Sequence, residues 1–120
     1  MRLRRKPWID EAIKEYNEFL HLDDCQMYKG KWHTLFKSPE APLWVELGTG
    51  KGNFISQLAQ LHRDVNFIGI EIQAGVLYYA GKKCADAEVD NVQLLRCDVA
   101  RLEDIFEPGE VDRFFINFCD

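Results

Sequence analysis

The 120-residue sequence has no apolar run approaching the roughly 18–20 residues that a membrane-spanning helix needs, so no membrane partner is expected. Its basic start (Arg2, Arg4, Arg5, Lys6) is followed by no apolar stretch of the secretory type, and a cytoplasmic location is expected instead. Histidine is scarce: His21, His33 and His62 are scattered and form no ligand pair on one helix face, so no metal is expected. The four cysteines (Cys25, Cys84, Cys97, Cys119) match no zinc or redox spacing and read as reduced, mostly packed thiols. Repeats and low-complexity tracts are also lacking. With 47% hydrophobic and 29% charged residues the chain has a globular balance, which excludes a disordered tail, and its length allows one core-building domain.

Charge of one sign is concentrated. The first six residues carry four positive charges, whereas the rest of the chain is acidic enough to bring the net charge to -5. A second basic island spans residues 28–37, where Lys29, Lys31 and Lys37 interleave with Tyr28, Trp32, His33 and Phe36. Such a mixture suits a phosphate backbone and unstacked bases, or equally a solvated lysine face with aromatics tucked beneath it. Nothing in the sequence decides whether Trp8, Trp32 and Trp44 are core or stacking residues. The adjacent Tyr78 and Tyr79 are expected to divide between a buried and an exposed helix face.

Ile9, Ile13, Tyr16 and Leu20 recur at helical spacing, which predicts an amphipathic helix over residues 9–22. Pro39 and Pro42 break the chain. Beyond them the pattern alternates. Strands are expected over 43–47, 66–72, 92–97 and 112–118, with helices over 51–62 and 74–89 and a helical turn over 102–106. This predicts an α/β fold, a Rossmann-like doubly wound parallel sheet with helices on both faces, cut short after about four strands. The expected division is an N-terminal arm, helix and basic-aromatic segment over 1–42, then a nucleoside-binding half-domain over 43–120.

Ligands of doubly wound sheets bind beyond the carboxyl ends of the strands. There the sequence places Glu46, Glu71, Asp98 and Asp120, one carboxylate for each predicted strand. The first strand runs into a glycine loop, Gly48-Thr49-Gly50-Lys51-Gly52, which lets the backbone turn tightly and approach a ligand. A dinucleotide fingerprint would need glycine where Asn53 stands, and a phosphate-binding P-loop would need glycine at Val45 and a hydroxyl at Gly52. Glu71 is placed to accept the hydroxyls of a ribose. Asp98 is placed to accept from an adenine amino group while the Val99 amide reaches a ring nitrogen. The alternative for Asp98 is an N-cap of the following turn. An acidic site with only one lysine near it fits an adenosine ligand carrying positive charge, namely S-adenosylmethionine.

On these residues the sequence resembles the class I S-adenosylmethionine-dependent methyltransferases, and more specifically the bacterial tRNA (guanine-N7)-methyltransferase family. The resemblance rests on Met1–Trp8, Tyr28–Trp32, Glu46–Ile55, Phe67–Glu71, Phe106–Val111 and Asn117–Asp120, and covers essentially the whole chain. It implies that Glu46, Gly48, Gly50, Gly52, Glu71, Asp98, Val99 and Asp120 contact the cofactor, that Asp120 is also catalytic, and that the substrate is tRNA. Arg2, Arg4, Arg5 and Lys6 would then position RNA phosphates, a solvated arm being the alternative. In that family Asp120 would open an Asp-Pro-Trp-Pro-Lys motif followed by a basic run, so the chain is expected to be the cofactor-binding half of a larger enzyme. Competing expectations are a class I methyltransferase for another substrate and a non-catalytic S-adenosylmethionine-binding half-domain.

Overall fold

The computed structural model describes residues 6–116. Its elements alternate along the chain: α1 (Pro7–Ala12), β1 (Leu20–His21), β2 (Leu43–Leu47), α2 (Asn53–Leu61), β3 (Asn66–Ile70), α3 (Ala74–Asp86), β4 (Val92–Leu95), α4 (Leu102–Ile105) and β5 (Arg113–Ile116). Short 3-10 turns at Ile13–Tyr16, Cys25–Tyr28, Trp32–Leu35 and Val99–Arg101 link them. The strands form one parallel sheet in the order β1-β4-β3-β2-β5. The sheet grows outward from β2 in two directions, through β3 and β4 on one side and β5 on the other. The point where that direction reverses lies between β2 and β5.

Two-residue periodicity sorts the strand side chains onto two faces. On one face Phe67 and Leu94 meet Ile55 and Ala59 of α2, Leu77, Ala80 and Cys84 of α3, and Ile13 and Tyr16. On the other Leu43, Val45, Ile68, Ile70 and Leu95 meet Trp32, Phe36, Ile105 and Phe106. Gly81 lets α3 lie against the N-terminal segment, because a Cβ there would come within 2.8 Å of the Tyr16 ring. Asn91 fixes the end of α2, donating from Nδ2 to the carbonyls of Ala59, His62 and Val65.

The alternation and the parallel sheet are as expected, but several details differ. The predicted helix over residues 9–22 stops at Tyr16, and Leu20 and His21 form a fifth strand instead. Phe19 and His21 offer their carbonyls to the amides of Leu94 and Arg96, both at 2.8 Å, so sheet pairing replaces the last helical turn. His21 is buried and bridged by Gln93 Oε1 at 2.7 Å and the Asp24 carboxylate at 3.2 Å. Helix α3 ends at Asp86 and not at residue 89, because Glu88 adopts a left-handed φ of 55°. Cys25 and Cys97, expected as reduced thiols, are joined as a disulfide where the Cys25–Tyr28 turn lies beside the end of β4, with Cα atoms 7.1 Å apart. Cys84 is a free, buried thiol. No helix among the described residues is long and apolar enough to cross a membrane.

Candidate functional site

The glycine loop between β2 and α2 is built by three left-handed residues, Gly48, Gly50 and Gly52, with φ of 73°, 59° and 85°. The amides of Gly48 and Thr49 both donate to the Ile70 carbonyl, at 2.9 and 2.8 Å, tying the loop to the end of β3. The Gly50 amide then donates to Glu71 Oε1 at 3.1 Å, and Glu71 Oε2 accepts from the Gln73 amide at 3.2 Å. One carboxylate therefore joins the loop to the entrance of α3. Each of its oxygens retains acceptor capacity, since a carboxylate offers about four lone-pair sites.

Beneath this loop lies a second carboxylate. Glu46 is 2% exposed and accepts the Thr49 hydroxyl at Oε1. In register with Glu46 on β3 stands Gly69, where an added Cβ would lie 2.7 Å from Thr49 Oγ1. The absence of a side chain at Gly69 makes room for the threonine that the buried carboxylate needs. The charge of Glu46 reaches α3 as well: the Cys84 thiol is pushed up to about 12, first by burial and then by Glu46, with Lys83 acting in the opposite sense. Thr49 and Gly69 escape sequence reasoning because their roles exist only once β2 and β3 are paired.

A cleft of about 350 Å³ opens at the carboxyl ends of β2, β3, β4 and β5. Leu47, Ile70, Ile72, Val99 and Ile116 give it apolar walls, and Gly48, Glu71, Cys97 and Asp98 complete the lining. The charged groups of that lining are both carboxylates. Four predicted site residues, Gly48, Glu71, Asp98 and Val99, thus converge on one cleft, at the point where the strand order reverses. Asp98 caps the following turn, accepting the Ala100 amide at 3.0 Å, as the N-cap alternative predicted, and lines the cleft as well. Val99 beside it is 43% exposed.

The remaining predicted residues lie differently. On Gly50 an added Cβ would meet nothing within 4 Å, so this turn of the loop faces open space. Gly52 is packed so closely on α3 that a Cβ would stand 2.8 Å from the Ala80 Cα. Glu46 and Gly52 are not in the cleft lining. Lys6 is exposed immediately before α1. Asp120, Arg2, Arg4 and Arg5 lie outside the described residues. In the basic-aromatic island the structure favours the solvated-face alternative. Trp32 is fully buried, with its indole N–H on the Ile105 carbonyl at 2.9 Å, and Phe36 is 5% exposed. Trp44 is half-buried under the Arg113 guanidinium, 4.7 Å from its ring, and Trp8 is 48% exposed. Tyr78 and Tyr79 do not divide between two faces; both are half-buried.

Residues 40–120 match the protein family described as "Putative methyltransferase". The tRNA (guanine-N(7)-)-methyltransferase of Bacillus subtilis (strain 168) is 46% identical over all 120 residues, and the chain covers 55% of it. The proteins of the same name from Pediococcus pentosaceus and Halalkalibacterium halodurans are 44% and 46% identical, with 56% and 54% of their lengths covered. The chain thus spans about half the length of the curated relatives it matches. A solved structure described as an antibiotic related methyltransferase shares the fold, with a TM-score of 0.53 and 19% identity over the whole chain and 50% of that structure. With two thirds of its residues matched, and with the parallel sheet and glycine loop in place, the chain belongs to this methyltransferase family.

Proposed function

We propose that this chain carries the S-adenosylmethionine-binding part of a cytoplasmic tRNA (guanine-N7)-methyltransferase. The observation that carries the reading is the cleft at the strand ends, whose charged lining, Glu71 and Asp98, is entirely acidic. Such a lining favours a cationic adenosine ligand and disfavours a pyrophosphate-bearing dinucleotide. The relatives named tRNA (guanine-N(7)-)-methyltransferase support the choice of tRNA as the substrate class.

The residues fit the cofactor. Glu71 would accept the ribose hydroxyls with the lone pairs left over from Gly50 and Gln73. Asp98 would accept from the adenine amino group, with the Val99 amide toward a ring nitrogen. The apolar walls from Leu47, Ile70, Ile72 and Val99 offer contacts to a flat base. Gly48 and Gly50 would let the backbone come close, while Gly52 and Glu46 hold the loop from behind, through Ala80 and Thr49. When bound, S-adenosylmethionine supplies an electrophilic methyl group on a sulfonium.

Guanine N7 presents an exposed lone pair, so no side chain has to remove a proton before attack. The protein's contribution is then mainly to hold the acceptor in line. Asp120 is proposed to accept from the guanine N1–H and N2–H groups, orienting the base and stabilising the positive charge that develops on it. Arg2, Arg4, Arg5 and Lys6 are proposed to hold tRNA phosphates.

The test is transfer of radiolabelled methyl from S-adenosylmethionine to a tRNA transcript by the enzyme that contains this chain, followed by nucleoside analysis. The reading expects N7-methylguanosine, and expects Asp120→Ala to remove turnover while part of the cofactor binding persists. Methylation of another acceptor with tRNA left untouched would overturn the substrate assignment. Wild-type rates for Asp120→Ala would overturn its catalytic role.

A further inference from the structure

Beside the glycine loop, and outside the cleft, α1 and α3 share an aromatic surface whose middle ring, Tyr78, packs inward against the core and Tyr16, while Trp8 stays largely exposed. Trp8 is 48% exposed although it stands at the start of a six-residue helix whose Ile9 is buried. Its ring meets the edge of Tyr78 at 5.3 Å, and Tyr78 meets Tyr79 at 5.1 Å, so the three rings form a continuous row. At the far end of the row the Lys51 ammonium sits 5.5 Å from the centre of the Tyr79 ring. Lys51 itself belongs to the loop whose Gly48 lines the cleft. Lys6, two residues before Trp8, is exposed, and Lys82 is exposed further along α3, paired with Asp86 at 3.3 Å.

An exposed indole packed against Tyr78, with the Lys51 ammonium at the far end of the row and the exposed Lys6 two residues before Trp8, has the chemistry of a stacking platform for unpaired nucleotides. Aromatic faces take up bases whatever their identity, and flanking lysines take the phosphates. RNA is favoured over protein because the Lys51 ammonium lies on a ring of the row and Lys6 is exposed before it, while two acids of the same region, Glu11 and Asp86, are taken up by Lys14 and Lys82. The basic island over residues 28–37 lacks this combination, since its Trp32 and Phe36 are buried.

We propose that Trp8, Tyr78, Tyr79 and Lys51, with Lys6, form an RNA-docking surface that binds single-stranded or looped nucleotides next to the cofactor cleft. The inference rests on the tRNA reading above and names the face of the chain that the RNA would cross.

The experiment measures binding of a fluorescently labelled tRNA transcript and of a paired DNA duplex to the 120-residue chain over a salt series. The variants are Trp8→Ala, Trp8→Phe, Lys51→Glu and, on the opposite face, Lys31→Glu. Trp8→Ala is expected to weaken tRNA binding about tenfold, and Trp8→Phe to restore much of it. Lys51→Glu should weaken binding and flatten the salt slope by about one unit, whereas Lys31→Glu should leave both as in the wild type. Unchanged tRNA affinity for Trp8→Ala and Lys51→Glu, with the wild type binding tRNA over duplex DNA, would overturn the surface and leave the tRNA reading standing. A wild-type chain that shows no preference for tRNA over duplex DNA would overturn both. Circular dichroism of each variant separates loss of binding from loss of fold, and Lys51→Glu, an exposed change, decides the matter if Trp8→Ala unfolds.

Discussion

The Gly50 amide donates to the Glu71 carboxylate at 3.1 Å, so the residue placed to hold a ribose also holds the loop over which the ligand would lie. The second oxygen takes the Gln73 amide, so one carboxylate ties the loop to the end of β3 and the entrance of α3. Glu71→Ala is therefore expected to raise the hydrogen-exchange rate of the Gly50 amide about tenfold or more, because a bond to a charged acceptor contributes about 1.5–3 kcal/mol. Glu71→Gln keeps one good acceptor oxygen and should fall between the two. Unaltered protection of Gly50 would show that the Ile70 carbonyl alone fixes the loop.

The loop glycines differ in why they are glycine, and the difference is measurable. Alanine at Gly50 or Gly52 meets the cost of a left-handed residue, about 1–2 kcal/mol. At Gly50 the new methyl meets open space, whereas at Gly52 it presses on the Ala80 backbone, which adds about 1–3 kcal/mol of overpacking. Denaturant unfolding should show Gly52→Ala as clearly the less stable of the two. Equal losses would contradict the close packing of α2 on α3.

Cys84 makes stability depend on alkaline pH. Its thiol is raised from 9.0 to about 12 by burial, with Glu46 adding to the shift. The folded chain therefore keeps a proton that the unfolded chain releases above about 9. The resulting stability is fully present below that pH and is lost progressively as pH rises toward about 12. Between these limits Cys84→Ala should remove about one proton's worth of slope from the stability curve. In the native chain at pH 8, Cys84 should resist alkylation until denaturant is added. Rapid labelling of native Cys84 would contradict its burial.

The alternation of strands and helices, the glycine loop and the gathering of Glu71, Asp98 and Val99 at one edge were all legible in the sequence, because apolar periodicity and turn residues are local signals. Leu20 was misread because a buried residue at helical spacing from Tyr16 looks the same whether it closes a helix or enters a two-residue strand. What distinguishes the two is the carbonyl of Phe19 meeting the amide of Leu94, a contact made only in the folded sheet. Thr49 and Gly69 were invisible for the same reason: each matters through its neighbour on another strand. The joining of Cys25 to Cys97 depends on the packing of a 3-10 turn against the end of β4, which spacing alone does not encode.

The account stands most directly on calorimetry of S-adenosylmethionine binding to the 120-residue chain. It predicts saturable binding of one equivalent, weakened at least tenfold by Glu71→Ala and measurably by Asp98→Ala, with Lys31→Glu binding as the wild type does. Absence of binding by the folded chain, or Glu71→Ala and Asp98→Ala binding as tightly as the wild type, would contradict the assignment of the strand-end cleft as the cofactor site.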